Sequence, residues 1–212
     1  MNVSRFTVNP FGVNTYVLWD EDSREAAIVD PGMSTQAERE ALDRFIQREK
    51  LTPVHLIDTH MHVDHALGNL YIKDRYGLKL EASKDDEFLG NALRNQARMF
   101  GLPVEVADHA PEIYLSDGDR IYIGKEPVDV LAVPGHSPGS IALYAPESSF
   151  VITGDALFRG SIGRTDLPGG SQSTLINSIR TRLLTLPDDT AVLPGHGPET
   201  TIGAEKRANP YL

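Results

Sequence analysis

Seven side chains in this sequence have the types and spacing of transition-metal ligands. Four of them lie in Thr59-His60-Met61-His62-Val63-Asp64-His65, so three of the chain's seven histidines gather beside one aspartate. Histidines in turns can be ordinary hydrogen-bonded residues. Neutral imidazole is, however, the commonest metal ligand, and a cluster this dense has few other uses. Side chains alternate along an extended or tightly turned segment, so His60 and His62 project the same way. Asp64 and His65 fall where the chain bends and can face a second point nearby. That suggests two neighbouring metals rather than one.

Three later turns repeat a single pattern of apolar strand, tight turn and ligand type. They are Val133-Pro134-Gly135-His136, Val151-Ile152-Thr153-Gly154-Asp155 and Leu193-Pro194-Gly195-His196. Glycine permits backbone angles that bring a side chain inward, and proline restricts the loop. His55 and His109 lack this context and read as structural or surface residues. Asp30 and Asp58 are candidates to hold the free ring nitrogens of the ligand histidines, although Asp30 reads equally well as a turn residue before Pro31.

Rigid elements must flank such turns. Val54 to Ile57 reads as a buried strand before the His cluster, and Ala66 to Tyr76 as a helix after it, ending at Gly77. Upstream, Val3 to Val8, Asn14 to Trp19 and Ala26 to Val29 read as strands. A helix starts near Ser34 or Thr35 with the capping box Thr35-x-x-Glu38. Lys84 to Phe100 reads as one helix capped by Ser83 and stopped by Gly101, with Phe88, Leu89, Ala92, Leu93, Ala97 and Phe100 as its buried stripe. Arg120 to Ile123, Val128 to Val133, Ser140 to Tyr144 and Phe150 to Thr153 read as strands. Asn177 to Leu184 belongs to a helix, and Ala191 to Leu193 is a last strand. This order is neither all-β nor regularly alternating. Two packed sheets with helices outside would fit it.

The 212 residues, 40% of them hydrophobic, suit one domain spanning residues 1–212. The formal net charge of −10 disfavours binding to nucleic acid or an anionic membrane. With no cysteine in the chain, thiolate ligands, a cysteine nucleophile and disulfides are all excluded. Nothing at the N-terminus reads as a signal peptide and no stretch is long enough to span a bilayer, so the expected compartment is the cytoplasm.

The series His60-x-His62-x-Asp64-His65, His136, Asp155, His196 resembles the metallo-β-lactamase fold superfamily over nearly the whole chain. The resemblance implies an α+β, four-layer αββα sandwich of two mixed β-sheets flanked by helices, with the site at one edge. It implies two divalent metal ions, zinc first, with iron or manganese as alternatives. His60, His62 and His136 would hold one and Asp64, His65 and His196 the other, with Asp155 bridging. Asp64 and Asp155 would be the catalytic carboxylates. An aspartate at position 155 differs from the cysteine or serine common in the β-lactamases, and the nucleic-acid-cutting branches carry basic surfaces that this chain lacks.

The segment from Gly154 to Asp166 is similar to that of the glyoxalase II group, above all its short single-domain members. The implied reaction is thioester hydrolysis by a metal-bridging hydroxide, on S-D-lactoylglutathione or a similar small acyl-thioester. Arg164 matches a lysine that holds glutathione in larger members. Asp166 stands near a tyrosine position of those enzymes, and their C-terminal helical glutathione-binding domain is not expected here. Three other readings remain. One is a persulfide dioxygenase with a single iron on His60, His136 and Asp155, which Gly163-Arg164-Thr165-Asp166 resembles as much. The others are a lactonase or related hydrolase, and a metal-binding protein without catalysis.

Overall fold

Val13–Trp19 is buried at all seven positions, which a strand sustains only when both its faces are covered. In the computed structural model, which describes all 212 residues, it is the second strand of a six-stranded mixed sheet. That sheet runs β1 (Asn2–Val8), β2 (Val13–Trp19), β3 (Glu25–Val29), β4 (Thr52–Ile57), β5 (Leu80–Ala82) and β6 (Ile113–Tyr114). The first two pairings are antiparallel and the rest parallel.

The second sheet contains β7 (Arg120–Ile123), β8 (Glu126–Ala132), β9 (Ile141–Ala145) and β10 (Phe150–Gly154). A small hairpin, β11 (Leu157–Phe158) with β12 (Ser161–Ile162), stands apart. β13 (Ala191–Pro194) and β14 (Thr200–Thr201) complete the second sheet, whose order is β14-β13-β10-β9-β8-β7.

Alternation along the strands divides the core into layers. Tyr16, Leu18, Val29 and Ile57 of the first sheet meet Val128, Val130, Leu143 and Ile152 of the second. The opposite face of the first sheet, with Val17, Ile28 and Leu56, packs under Leu42 and Ile46 of helix α1 (Gln36–Arg48). The expected capping box is present, Thr35 accepting from Glu38 N–H while the Glu38 carboxylate accepts from Thr35 N–H. On the outer face of the second sheet, Ala142, Val151 and Val192 pack against Leu175, Ile179 and Leu183. The result is the expected αββα sandwich. No helix is long and apolar enough to cross a membrane.

Three helices differ from expectation. The stretch after the His cluster is two helices, α2 (Val63–Ala66) and α3 (Asn69–Tyr76). Between them Gly68 lies against Pro31 and donates its N–H to the Pro31 carbonyl at 2.6 Å. Gly77 ends α3 in the left-handed conformation, as expected. The stretch 84–100 breaks into a 3-10 turn at Lys84–Asp86, α4 (Glu87–Gly90) and α5 (Leu93–Met99). It breaks because Asp86 turns inward to bind other loops and Gly90 is wedged against Met61 and the His109 carbonyl. Phe88, expected in the core, is 46% exposed as a consequence. The third, α6 (Gln172–Ser178), which includes the expected Leu175 and Ile176, continues as a π-helical turn, Ile179–Leu183. A last helix, α7 (Ile202–Ala208), and the short β5, β6, β11, β12 and β14 had no legible periodic signal.

Candidate metal centre

All seven expected ligands reach one point on the edge of the sandwich. The turn after β4 carries His60, His62, Asp64 and His65, the turn after β8 carries His136, β10 ends just before Asp155, and β13 ends just before His196. At the last two turns glycine is required sterically. Gly154 is left-handed (φ +48°) and a Cβ there would strike Thr59, while a Cβ on Gly195 would strike the Asp155 carboxylate. The register between β10 and β13 slips between Ile152 and Gly154, which swings Asp155 into the site.

The donor atoms form three overlapping groups, each within 4.8 Å: His60, His62 and His136; Asp64, His65 and His196; and His60, His65 and Asp155. Asp155 spans the first two, with Oδ2 3.6 Å from His136 Nε2 and 3.5 Å from His196 Nε2. Its Oδ1 is 3.4 Å from His65 Nε2 and has no hydrogen-bond partner.

The hydrogen bonds on the far sides of the rings decide what these groups fit. His136 Nδ1 donates to the Arg164 carbonyl at 2.8 Å, which leaves a lone pair on Nε2. Thr59 gives its hydroxyl proton to Asp30 at 2.8 Å, so its oxygen accepts from His60 Nδ1 at 3.1 Å, again leaving a lone pair on Nε2. These two lone pairs face each other at 3.2 Å. His196 Nδ1 donates to the Phe11 carbonyl at 3.1 Å, and His65 Nδ1 stands 3.1 Å from Asp30 Oδ2. Their Nε2 atoms also face each other, at 3.3 Å. The facing lone pairs of His60 and His136 repel unless a cation lies between them, and His65 and His196 converge on the carboxylates of Asp64 and Asp155, so the donor set fits divalent metals. All seven donors are nitrogen or oxygen, the set that suits zinc, iron and manganese.

The electrostatics divide the rings, for burial would lower His65 and His196 but the carboxylates of Asp155 and Asp64 outweigh it and raise both. Burial and the neighbouring imidazoles hold His60 well below the usual histidine range, and burial with His136 beside it lowers His62 to about 3. Both stay neutral and ligand-competent. Burial alone would raise the Asp155 carboxyl, but His65, His136 and His196 outweigh it and keep the group ionised.

Three supports were not legible in the sequence. Asp86, fully buried, accepts from Met61 N–H at 3.1 Å, Ser137 O–H at 2.7 Å and Gly139 N–H at 2.6 Å. It thereby ties the turn carrying His60 and His62 to the turn carrying His136. Gln96 accepts from Val63 N–H and donates to the Met61 and Leu89 carbonyls, and Asn9 donates to the Asp64 carbonyl. Of the two aspartates proposed to hold ring nitrogens, Asp30 lies 3.1 Å from His65 Nδ1 but accepts its hydrogen bonds from Thr59, leaving that nitrogen without a hydrogen-bond partner, whereas Asp58 is bound by Asn69 and reaches no ligand ring. His55 bridges Glu81 and the Tyr122 carbonyl, and His109 contacts Asn69 and the Ala107 carbonyl, so both are structural.

Residues 8–196 match the sequence model described as the Metallo-beta-lactamase superfamily. The chain belongs to that superfamily. It is 40% identical to the hydroxyacylglutathione hydrolase GloC of Haemophilus influenzae, over 100% of this chain and 98% of that protein. Among solved structures it is similar to the BLEG-1 B3 metallo-beta-lactamase, with TM-score 0.89, 36% identity and coverage of 100% and 99% of the two chains. It is similar to TTHA1623 in a di-iron-bound form, with TM-score 0.88, 38% identity and coverage of 99% and 100%. It is also similar to ETHE1 from Myxococcus xanthus, with TM-score 0.80, 30% identity and coverage of 99% and 84%.

A substrate of a superfamily hydrolase needs room beside the ligand residues. A cavity of about 470 Å³ opens on His62, Asp64, His136, Asp155 and His196, walled by Phe11, Phe100, Phe158 and Leu167. Arg159 and Arg164 also line it. Arg164 is held in a fork by Asp166, with both N···O distances 2.7 Å. The structure puts both on the cavity, and only Arg159 has no carboxylate partner.

Proposed function

We propose that this metallo-hydrolase cleaves acyl-thioesters, in the manner of glyoxalase II, with S-D-lactoylglutathione or a similar small thioester as substrate. In this reading His60, His62 and His136 hold one divalent ion, Asp64, His65 and His196 a second, and Asp155 reaches both. The observation that carries it is the position of Asp155, whose single carboxylate lies within 3.6 Å of ring nitrogens from both groups. The full-length similarity to GloC supports the substrate class. Two such ions, when bound, acidify a shared water and polarise an acyl oxygen.

The chain's own residues fix where that chemistry takes place. Thr59 and the Arg164 and Phe11 carbonyls orient three of the imidazoles from behind, and Asp30 lies against the fourth, His65. The aromatic walls limit solvent around the acyl carbon. Apart from the proposed ligands Asp64 and Asp155, no acidic side chain lines the cavity to protonate a leaving group, and a thiolate needs little such help, because its conjugate acid has a pKa of about 8.5. Arg159 and Arg164 supply local positive charge for an anionic thiol carrier on an otherwise acidic protein.

A second reading, an iron-dependent persulfide dioxygenase, draws on the similarity to ETHE1 and on His60, His136 and Asp155, whose donors lie 3.2 and 3.6 Å apart in succession. One experiment separates them. Protein purified without added metal is assayed for metal content, for thiol release from a set of glutathione thioesters, and for oxygen uptake with glutathione persulfide. Two ions per chain with thiol release supports the hydrolase. One iron with oxygen uptake and no thiol release overturns it, as does hydrolysis of a chromogenic cephalosporin faster than any thioester.

A further inference from the structure

The break in the 84–100 helix has a consequence at the metal centre. It turns Phe88 and Met99 outward, 46% and 68% exposed. Both then line a second cleft of about 150 Å³, with Leu89, Ala92, Phe100 and Leu167. The cleft is not separate from the site. His62, Phe100 and Leu167 line both it and the larger metal cavity. Large apolar groups left in water on a monomer's surface mark binding surfaces when they cluster around a site. Here Phe11, 39% exposed, adds to them from across the cavity, stacked edge-on to Phe100 at 5.9 Å. The two arginines line the larger cavity and not this cleft. The site therefore has an apolar arm and a cationic arm, both leading away from the metals.

We propose that the cleft beside His62 is the acyl subsite and that it takes an apolar acyl arm, such as hexanoyl or phenylacetyl. The thiol carrier then lies toward Arg159 and Arg164. The proposal rests on the thioesterase reading and changes its acyl group, putting a larger apolar arm in place of lactoyl. Its size argument is direct: an apolar cavity of about 150 Å³ elsewhere stays dry and accepts a benzene-sized guest. A lactoyl or acetyl group would leave the cleft empty, and a long fatty chain would overrun it. Each methylene that enters such a cleft is worth about fourfold in kcat/KM if it is fully buried. Hexanoyl adds four methylenes to acetyl, so even partial burial should favour it by about tenfold or more.

The test uses the metal-loaded full chain and two readouts. The first is kcat/KM for acetyl, lactoyl, butyryl, hexanoyl, phenylacetyl and dodecanoyl thioesters of one thiol. The second is the rise in melting temperature caused by acetate, hexanoate, phenylacetate and dodecanoate, which does not depend on turnover. Both series should peak at hexanoyl or phenylacetyl. Ala92→Phe fills the cleft and Met99→Glu puts a charge at its mouth. In each the hexanoyl-to-acetyl ratio should fall toward one, and Met99 is exposed enough that its replacement cannot disturb folding. If hexanoate stabilises the protein no more than acetate, the subsite is wrong. A preference that persists in both variants also overturns it, because the arm then lies elsewhere. If hexanoate is preferred in the melting series but no thioester is cleaved, the thioesterase reading fails and the subsite stands.

Discussion

Replacing Asp86 should strip metal from one half of the site. Its carboxylate is fully buried and binds no donor of the ligand set, yet it holds three groups on the two turns that carry His60, His62 and His136. In Asp86→Asn one oxygen can still accept from Gly139 N–H, 2.6 Å away in the native protein. The new amide must then face Met61 N–H, a donor opposite a donor. Ser137 can turn its hydroxyl toward Ser140 Oγ, 2.7 Å away, whereas Met61 N–H is left buried without an acceptor. Such an orphan costs about 1–3 kcal/mol. Burial already raises the Asp86 carboxyl above its usual value, so the native bonds are partly offset by desolvation and the lower half of that range applies. Because Met61 sits between two ligands, part of that cost falls on metal affinity. Loss of groups that orient ligands typically weakens binding about 10–100-fold. The assay is a chelator-competition titration with metal counted per chain. If the site holds two ions as proposed, wild type should release both at similar chelator strength, and Asp86→Asn should release one early and one at the native point. Equal weakening of both ions, or unchanged binding with a lower melting temperature, would show that Asp86 serves only the fold.

Removing metal with a chelator should lower the melting temperature by several degrees, because a ligand of the native state alone stabilises it by mass action; circular dichroism should still report a folded chain. His55 predicts a pH effect measured on chelated protein. Burial would lower its pKa, but the hydrogen bond and charge of Glu81 outweigh this and raise it, so its contribution is full below about pH 6.5 and is lost as pH rises through the folded value. The melting-temperature gap between wild type and His55→Gln should therefore be widest in mild acid and close at alkaline pH, and a gap that widens with pH would contradict the assignment. Arg164→Ala removes an exposed ion pair and should barely move the melting temperature. Arg159→Ala should raise KM for a glutathione thioester about tenfold and leave a small neutral thioester nearly unaffected, whereas equal losses on both substrates would remove Arg159 from carrier binding.

The strands and the ligand turns were legible because each follows from a local rule. Val151 to Asp155 announces a buried strand and a tight turn in five residues, and Thr35-x-x-Glu38 caps α1 in four. The pairing of His60 with His62, and of Asp64 with His65, also follows from side-chain direction along a short turn. The ends of long apolar stripes were not legible in this way. The periodicity of 84–100 is helical throughout, and Gly90-Asn91 is the one local signal at the break, outweighed in the sequence by the apolar stripe that runs through it. That break is decided by contacts far along the chain, between Asp86 and residues 61, 137 and 139 and between Gly90 and residue 109.

Asp86 shows why the supports are harder to read than the ligands. A metal ligand must be one of a few residue types at the end of a rigid element, so type and context suffice to nominate it. A residue that orients ligands needs only to complete a hydrogen-bond inventory, and a buried carboxylate in Ser83-Lys84-Asp85-Asp86 looks like any helix start. Ser83 does cap that turn, accepting from Asp85 N–H at 3.3 Å, and this satisfies the local expectation while the more consequential bonds go elsewhere. The same inward turn of Asp86 breaks the helix and exposes Phe88 in the cleft beside His62. One buried carboxylate thus couples the geometry of the three-histidine group to the shape of the proposed acyl cleft. Asp86→Asn should accordingly alter acyl-chain preference as well as metal retention, even when excess metal restores occupancy. If saturating metal restored the full hexanoyl preference, the helix break would be held by Gly90 alone, and the two features would be neighbours without being coupled.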